Sequence, residues 1–453
     1  MENNIFNLKG KKIHFIGIGG VSMSGISLHL KSLGFEVSGS DILLNSTLKM
    51  LKNSQIRVFV GHSESAVKGA DAVVFSSAID EFNPEILTAK KLKIPIFKRS
   101  QILGQILNKY KNSIAVSGCH GKTTTTAMIS CAIEQNNLSP TVFVGGTYNS
   151  IVNYKRGESD IAVVEACEFR KNFLDLSPKY AVVLNIDNDH LDCYKDIKDL
   201  VKTFSQFIKD RIAIINADDE HAKNILNSTS ITFGIYNRAN FMAKNVKFNG
   251  KGYSFTVYAY SMRLGRINLK VLGYHNIYNA LATIALAQTL NLSFSKTKQA
   301  LENFSGVDRR QEFIGNLENL ACFCDYAHHP KEIESTLDAF NGLNCPYITV
   351  FQPHTYSRTK LLMADFINAL KGVNDLIIYK TYPAREKVDI LGDGKTLFDN
   401  LKKVSNNKIY YASTENELKD LIYLLKEKYN KILFLGAGNI YDIAKKIVED
   451  NNS

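Results

Sequence analysis

The 453-residue sequence has no tryptophan, only eight prolines and no long apolar run. None of its apolar stretches approaches the roughly 18 residues that a membrane-spanning helix requires. The N-terminus lacks the basic-then-apolar order of a signal peptide. The seven cysteines are scattered, odd in number and close together only at Cys322 and Cys324, which favours reduced thiols over a disulfide framework. We therefore expect a cytoplasmic protein with no membrane-spanning segment.

Acidic residues are fewer than basic ones, 44 against 55, which gives a formal net charge of +11. Such a charge would suit an anionic partner. The lysines are nevertheless spread along the chain, and no motif of a nucleic-acid-binding module is present. We interpret most of this charge as solvated surface lysines. We expect an enzyme that handles a nucleotide, and no nucleic-acid partner.

Strands and helices are predicted to alternate along most of the chain, in three segments punctuated by glycine. Alternation of this kind predicts mainly parallel sheets with helices on both faces. At about 150 residues per domain, the length predicts about three domains. A β-rich stretch at 231–272 interrupts the pattern. The sequence thus predicts an α/β protein of several domains.

The first glycine turn lies in "HFIGIGGVSMSG", between a predicted buried strand and a helix. Gly17 and Gly19 fit a dinucleotide-binding fingerprint, but the third glycine would fall at position 22, where Ser22 stands. Gly20 adds flexibility, and Asp41 ends the next strand, where a ribose-binding acid is expected. The pattern predicts a Rossmann-like topology without establishing NAD binding. The loop could cradle the diphosphate of another nucleotide derivative, or its glycines could serve only close packing.

A second glycine turn, "GCHGKTTTT" at 118–126, resembles a phosphate-binding loop with one glycine missing. The pattern G-x-x-x-x-G-K-T requires glycine where Val116 stands. A predicted strand precedes the turn and a helix follows, so unpaired N–H groups at the helix start suit phosphate. Lys122 adds a positive charge, and the Thr123 hydroxyl can reach Mg²⁺. We interpret the turn as a phosphate cradle, the alternative being a merely polar turn.

Acidic groups follow the next two predicted strands of this segment. Glu165 ends one strand, and Asp187, Asp189, His190 and Asp192 follow the other. Loops at the carboxyl ends of neighbouring parallel strands meet beside the phosphate loop. A carboxylate and an imidazole there can hold Mg²⁺, which shares its coordination with water and substrate phosphates. We favour Glu165 and His190 as ligands and interpret Asp189 and Asp192 as helix caps.

Polar side chains also begin a later helix, "GYHNIYNALA", where His275 stands next to Asn276. Asn276 and Asn279 share a helix face and could either read an adenine edge or cap the helix. Further along, the planar fork of Arg310 suits phosphate or carboxylate.

The third segment carries a polar set in "DYAHHP" and "QPHTYSR". His354 and Arg358 are four residues apart, so a helix would place them on one face. The histidines lack convincing metal-ligand spacing. We interpret the set as substrate-binding groups at the mouth of a third domain: Asp325, His328, His329, His354 and Arg358.

Together these stretches resemble the Mur ligase family, and most closely its alanine-adding branch. The likeness runs from end to end in the family's order: "HFIGIGGVSMSGIS", "SGSD", "GCHGKTTTT", "EACEFRKNFLDLSP", "NIDNDHLDCY", "GYHNIYNALA", "DRRQEF", "DYAHHP", "QPHTYSRT" and "FLGAGNIYDIAK". The family's loop is of G-x-x-G-K-T type, so Val116 is a family trait.

The resemblance implies three domains: an N-terminal Rossmann-like domain at 1–107, a central P-loop parallel sheet at 108–312 and a C-terminal Rossmann-like domain at 313–453. They would bind the uridine diphosphate moiety, ATP with Mg²⁺, and the amino acid, respectively. The implied reaction is ATP-dependent ligation of L-alanine to UDP-N-acetylmuramate through an acyl phosphate, in peptidoglycan precursor synthesis. The resemblance leaves a monomer or a homodimer open.

The resemblance also assigns residues, position by position. The catalytic set is Lys122, Glu165 and His190, and the metal set is Thr123, Glu165 and His190. The ATP-binding set is Gly118, Cys119, His120, Gly121, Lys122, Thr123, Thr124, His275, Asn276, Asn279, Arg310 and Asp325. The substrate-binding set is Gly17, Gly19, Gly20, Asp41, His329, His354 and Arg358.

The chain departs from the family pattern at one position beside the predicted carboxylate clamp, and other features separate it from alternatives. Many relatives carry arginine directly after the histidine at 354, where this chain has Thr355. A ligase that re-uses whole murein peptides typically has an E-A-D-E-Y-D type stretch where this chain reads "EACEFR". An NAD-dependent oxidoreductase would not carry the GKT loop, and an inactive ATP-binding module would have lost the lysine or the metal groups.

Overall fold

The structure, a computed structural model, describes residues 4–8, 10–42, 45–187, 193–343, 345–384 and 386–450. Its strands form three sheets of five, ten and six members. The chain divides into two compact units. The first unit comprises Met1–Lys247, Ser254–Leu269 and Ile277–Phe304; the second comprises Phe248–Tyr253, Lys270–Asn276 and Ser305–Ser453. None of the helices in the described ranges is long and apolar enough to cross a membrane.

The first sheet is fully parallel, with strand order β3-β2-β1-β4-β5. The predicted Rossmann-like topology is thus confirmed, because the chain order reverses beside β1. The elements are β1 (Lys12–Ile16), α1 (Val21–Ser32), β2 (Glu36–Asp41), α2 (Ser46–Asn53), β3 (Arg57–Val60), β4 (Ala72–Phe75), α3 (Pro84–Lys91), β5 (Ile96–Lys98) and α4 (Arg99–Leu107).

The second sheet has the order β15-β14-β13-β12-β11-β10-β6-β9-β7-β8. Its central strands are parallel, as predicted, while β8 and β15 each pair antiparallel with a neighbour. The strands are β6 (Asn112–Ser117), β7 (Thr141–Phe143), β8 (Tyr154–Lys155), β9 (Ile161–Glu165), β10 (Tyr180–Val183), β11 (Ile212–Asn216), β12 (Ile231–Gly234), β13 (Phe241–Phe248), β14 (Tyr253–Ala259) and β15 (Met262–Asn268). The helices are α5 (Lys122–Gln135), α6 (Ile197–Ile208), α7 (His275–Thr289) and α8 (Phe294–Asn303).

The third sheet has the order β16-β17-β21-β18-β19-β20, and all its pairs are parallel except β16 with β17. The Rossmann-like prediction for the C-terminal segment is confirmed. The strands are β16 (Glu312–Leu317), β17 (Leu320–Asp325), β18 (Ile348–Phe351), β19 (Leu376–Tyr379), β20 (Ile409–Ala412) and β21 (Lys431–Leu435). The helices are α9 (Pro330–Asn341), α10 (Tyr356–Leu361), α11 (Met363–Leu370), α12 (Gly394–Val404), α13 (Glu415–Leu425) and α14 (Ile440–Asp450).

A short 3-10 segment, Phe169–Asp175, links the first two sheets. Its Arg170 and Lys171 adopt left-handed φ angles of 52° and 59°. Arg170 Nη1 donates to the carbonyl of Ser77, beyond β4, at 3.0 Å. At the far end of the segment, the Ser100 hydroxyl on α4 donates to Asp175 Oδ2 at 2.5 Å.

Phe173 fixes the segment by packing against α6, and its side chain is buried, with 1% exposed. Its ring stacks on Phe207 of α6 at 4.6 Å and meets Phe204 edge-on at 5.0 Å. Aromatic pairs of this kind contribute beyond the area they bury. This packing therefore holds the chain that leaves β9 against the central sheet.

We predict that Phe173→Ala lowers the free energy of unfolding of the first unit by about 3–5 kcal/mol, because it leaves a cavity among packed rings. Urea unfolding followed by tyrosine fluorescence and far-UV circular dichroism measures the change. Phe82→Ala is the control, since Phe82 is 74% exposed, and its effect is expected within about 0.5 kcal/mol. Equal midpoints for the two variants would contradict the assigned packing.

Candidate active site

The loop from Gly118 to Gly121 joins β6 to the start of α5. β6 is a central strand of the second sheet, between β10 and β9. Gly118 and Gly121 have backbone φ angles of 133° and 83°, which residues with a side chain rarely adopt. α5 begins at Lys122, and no side chain caps it. Its first N–H groups, which include those of Thr123 and Thr124, lack helical partners and suit an anion.

The side chain of Asn185, just beyond β10, holds this loop by hydrogen bonds to both the backbone N–H and the carbonyl of one loop residue, His120. Its Oδ1 accepts from His120 N at 2.8 Å, and its Nδ2 donates to the His120 carbonyl at 3.1 Å. The Cys119 thiol meets the backbone of Asp187, whose carboxylate lies 3.7 Å from His120 Nε2. The loop therefore depends on β10 as well as on its own glycines. Sequence reasoning did not assign this role to Asn185.

Lys122 turns back into the loop and pairs with a fully buried carboxylate. Its Nζ donates to the carbonyls of Gly118 and Cys119 at 2.5 and 3.1 Å. It also donates to both oxygens of Glu168 at 3.2 Å. Burial lowers the pKa of Lys122, but the negative charge of Glu168 and of nearby groups outweighs burial and raises that pKa above its ordinary value. Lys122 is accordingly a fixed positive charge.

Glu168 is 0% exposed, and its backbone is held as well. The Tyr194 hydroxyl and the Lys171 N–H both donate to the Glu168 carbonyl. Sequence reasoning assigned no role to Glu168. The signal that could have found it is its position as a second acid three residues after Glu165, in "EACEFR".

Thr123 and Glu165 meet beside the loop, as the metal prediction requires. Thr123 Oγ1 donates to Glu165 Oε2 at 3.2 Å, and Gly145 N donates to Oε1 at 2.5 Å. Hydroxyl and carboxylate oxygens are the donors that Mg²⁺ prefers, so this pair fits the ion. Over the described ranges, no group of three His, Cys, Asp or Glu side chains is arranged to hold a metal. The third predicted ligand, His190, lies outside them, as do Asp189 and Asp192.

The polar residues of α7 fall in both units. In the first unit, Asn279 lies against the phosphate loop, because a Cβ on Gly121 would meet its Oδ1 at 2.8 Å. In the second unit, His275 Nδ1 lies 3.0 Å from Ser335 Oγ. Asn276 Nδ2 donates to the Leu272 carbonyl at 2.5 Å, so its amide is engaged locally at the helix start.

The N-terminal glycine loop is anchored by Asp41. Gly19 N donates to Asp41 Oδ2 at 2.9 Å, and a Cβ on Gly19 would meet that oxygen at 2.8 Å. Gly17 has a φ of 79°, and Gly20 forms the N-cap of α1. Glycine is therefore required at 17 by the positive φ angle and at 19 by the close approach of Asp41. Asp41 holds the loop in place.

Asp325 is a buried acid of the second unit. Its oxygens accept from Ala327 N at 2.7 Å and Gln311 N at 2.9 Å. Burial raises the pKa of Asp325 to about 6, with the charge of Arg310 opposing it. The Arg310 guanidinium lies over the Tyr326 ring at 5.1 Å and 3.8 Å from Glu332. Both predicted residues thus stand in one cluster at the end of β17.

His354 and Arg358 also come together, although only Arg358 lies within α10. Arg358 Nη1 stands 3.3 Å from His354 Nδ1. The His354 ring stacks on Tyr382 at 5.6 Å and meets His328 at 5.7 Å. Thr355 between them has a φ of 66°.

His329 has a structural task of its own. It is the N-cap of α9 and forms a capping box with Glu332. The backbone N–H of His329 donates to Glu332 Oε2 at 3.4 Å, which helps to order the start of the helix.

A lysine-bearing phosphate cradle on a parallel α/β sheet defines a nucleotide-binding enzyme of the P-loop type. Three family models match the chain: "Mur ligase family, catalytic domain" at 12–111, "Mur ligase middle domain" at 116–287 and "Mur ligase, glutamate ligase domain" at 309–438. Together they support the predicted three-domain organisation.

Curated relatives and solved structures agree with these matches. The chain is 41% identical to the UDP-N-acetylmuramate–L-alanine ligase of Acetivibrio thermocellus, over 98% of this chain and 96% of the relative. It is similar to the crystal structure of UDP-N-acetylmuramate-alanine ligase from Thermotoga maritima, with a TM-score of 0.84, 30% identity and coverage of 97% and 99%. A murein peptide ligase from Psychrobacter arcticus shares the fold, with a TM-score of 0.74, 22% identity and coverage of 98% and 99%. The chain belongs to the Mur ligase family.

We predict that His354 titrates near pH 4. Burial, and then the neighbouring His328 and Arg358, lower its pKa to about 4. Because this value lies below the unfolded one of about 6.5, protonation favours unfolding, and stability is lost as the pH falls from about 6.5 towards 4. Histidine NMR titration measures the midpoint, with His354→Gln assigning the resonance. A midpoint above 6 would contradict the described environment.

Proposed function

We propose that this enzyme ligates L-alanine to the lactyl carboxylate of UDP-N-acetylmuramate with hydrolysis of ATP to ADP and phosphate. The observation that carries the proposal is the end-to-end relation to the alanine-adding ligases, joined to a complete phosphate loop. The A. thermocellus relative covers 98% of this chain, and Lys122, Thr123 and Glu165 occupy one place in the fold.

The chemistry proceeds in two steps. A lactyl carboxylate oxygen attacks the γ-phosphorus, the bond from that phosphorus to the β–γ bridging oxygen breaks, and ADP leaves. The resulting acyl phosphate is attacked at its carbonyl carbon by the neutral α-amine of L-alanine. The tetrahedral adduct loses phosphate and a proton to give the amide.

Within this reaction, we assign the phosphate loop to the transferred group. The N–H groups of α5 and the ammonium of Lys122 offset negative charge on the phosphoryl oxygens, where positioning and electrostatics supply most of the catalysis. Glu168 keeps that ammonium in the loop. Mg²⁺ would be held by Thr123 and Glu165, with His190 as the third predicted ligand, and would offset phosphate charge.

The remaining predicted residues take supporting roles in the proposal. We assign His275, Asn276, Asn279, Arg310 and Asp325 to the rest of ATP. We assign the glycine loop with Asp41 to the uridine diphosphate moiety, and His329, His354 and Arg358 to substrate carboxylates. The Arg358 fork suits the carboxylate of L-alanine. The domain boundaries proposed for these roles are 1–107, 108–312 and 313–453.

The setting belongs to the same proposal. A reaction that consumes ATP and a UDP-linked sugar supports a cytoplasmic location. The proposed partners are the two substrates, UDP-N-acetylmuramate and L-alanine, with no nucleic acid and no membrane. The proposed oligomeric state is a monomer or a homodimer.

The test is phosphate release from ATP and Mg²⁺ with UDP-N-acetylmuramate and single acceptors. We expect turnover with L-alanine, lower kcat/KM with glycine and L-serine, and loss of turnover when EDTA removes the metal. A murein tripeptide tests the related peptide-re-using ligase. Turnover with the tripeptide and none with L-alanine would reject the assignment.

We predict that removing the Lys122 charge lowers kcat by roughly 10³-fold or more. The reason is that, among the described residues of the phosphate loop, no other ammonium is present to offset the charge on the phosphoryl oxygens. Lys122→Ala alone would leave Glu168 buried and unpaired, which costs about 3–5 kcal/mol of stability. The double variant Lys122→Met/Glu168→Gln removes both charges, so loss of activity is separated from loss of folding. Phosphate release and thermal unfolding are measured in parallel.

The matched control is a second ion pair on the same helix. Lys155 and Glu134 lie 2.7 Å apart, with Glu134 on α5. Lys155→Met/Glu134→Gln is expected to keep kcat within about twofold, since the pair is only partly buried and lies outside the phosphate loop. Near-wild-type kcat in the Lys122 double variant would remove Lys122 from the proposed role.

A further inference from the structure

Arg99 presents a partly buried guanidinium whose hydrogen-bond partner is a hydroxyl and not a carboxylate. It is the first residue of α4 and directly follows β5. Its Nη1 donates to Ser22 Oγ at 2.8 Å. Across the part of the chain that the structure describes, no carboxylate forms an ion pair with Arg99.

An arginine in this setting is costly for the ligand-free protein. A cation removed from water without an ion-pair partner loses hydration that one hydrogen bond to a hydroxyl replaces only in part. Burial lowers the pKa of Arg99, and Cys167 and Asp175 offset this only in part. Asp175 acts on the guanidinium only through its charge, and its Oδ2 accepts the Ser100 hydroxyl at 2.5 Å. The guanidinium is therefore available to an anion that arrives from outside the chain.

The contact with Ser22 places this guanidinium beside the glycine loop. Ser22 lies in the first turn of α1, two residues after Gly20, and no side chain caps that helix. In the first sheet, β1 lies between β2 and β4. Ligands of such sheets bind outside the carboxyl ends of the strands, where the strand order reverses. Arg99 stands at that edge, at the carboxyl end of β5.

The chemistry of the guanidinium selects among anions. Its planar fork donates parallel hydrogen bonds to phosphate oxygens, which a lysine ammonium cannot reproduce. The glycine loop offers backbone N–H groups at the helix start, which also suit phosphate. A diphosphate has two adjacent phosphate groups, so one can face the helix start while the other faces Arg99.

We propose that Arg99 is a substrate-binding residue that grips the diphosphate of the UDP-linked substrate from the α4 side of the glycine loop. The assignment rests on the proposed function, since that function supplies the diphosphate. It adds a positive charge to a loop whose other contacts are backbone groups and Asp41.

The test is calorimetric titration of UDP into wild-type protein and Arg99→Met, with ADP saturating the phosphate loop. Arg99→Met keeps an apolar stem and removes the charge. We expect UDP affinity to fall about 10–100-fold, as for the loss of hydrogen bonds from a charged group. Arg99→Lys should restore part of the affinity, because it keeps the charge without the fork. ADP affinity should stay unchanged.

A second arm separates the diphosphate from the lactyl carboxylate. UDP-N-acetylglucosamine carries the diphosphate without that carboxylate, so Arg99→Met should weaken it by the same factor as UDP-N-acetylmuramate. Weakening of UDP-N-acetylmuramate alone would overturn the assignment. Unchanged UDP affinity in Arg99→Met would overturn it as well.

A third arm excludes a purely structural role. Without ligand, Arg99→Met should unfold at the wild-type temperature or above it, because an unpaired charge is removed. A lower unfolding temperature together with weaker ADP binding would mark Arg99 as structural. Arg156→Met is the matched control, since Arg156 Nη1 donates to Ser32 O at 2.6 Å at the opposite end of α1. UDP titration involves no turnover, so a failure of ligation leaves this result readable on its own.

Discussion

The phosphate loop of this enzyme depends on one buried ion pair. Lys122 and Glu168 face each other with the carboxylate fully buried, so neither charge can be removed alone without leaving the other uncompensated. Glu168 is in turn fixed through its own backbone carbonyl by Tyr194 and Lys171. The position of the ammonium is therefore decided by the chain that leaves β9, and the helix that carries the lysine decides only part of it.

Local sequence was sufficient for the parts of the site that a short stretch determines by itself. The glycines at 118 and 121, the lysine after them and the strand–loop–helix order all follow from adjacent residues, and so does the Rossmann-like order around Gly17 and Asp41. The two-sided hold of Asn185 on His120 spans 65 residues, the Lys122–Glu168 pair spans 46, and the Arg99–Ser22 contact spans 77. No periodicity or spacing predicts such contacts, because tertiary packing creates them.

The third sheet illustrates a different limit of sequence reasoning. Spacing placed His354 and Arg358 on one helix face, yet α10 begins only at Tyr356. The pair still meets, because Thr355 adopts a left-handed φ of 66° and His354 is held against Tyr382. The residue types were predictable, whereas the turn that joins them depends on a neighbouring loop. The ring's depressed pKa likewise follows from packing and adjacent charges.

The segment from Glu165 to Asp175 has a consequence for how this sequence can vary in length. It contacts Thr123 at Glu165, Lys122 at Glu168, Ser77 at Arg170 and Ser100 at Asp175. Each contact fixes one residue in register with a different element, and two left-handed residues bring the chain from one contact to the next. An inserted or deleted residue would shift every later contact at once. Length changes are therefore expected in exposed turns such as the one between β14 and β15, and not in this segment.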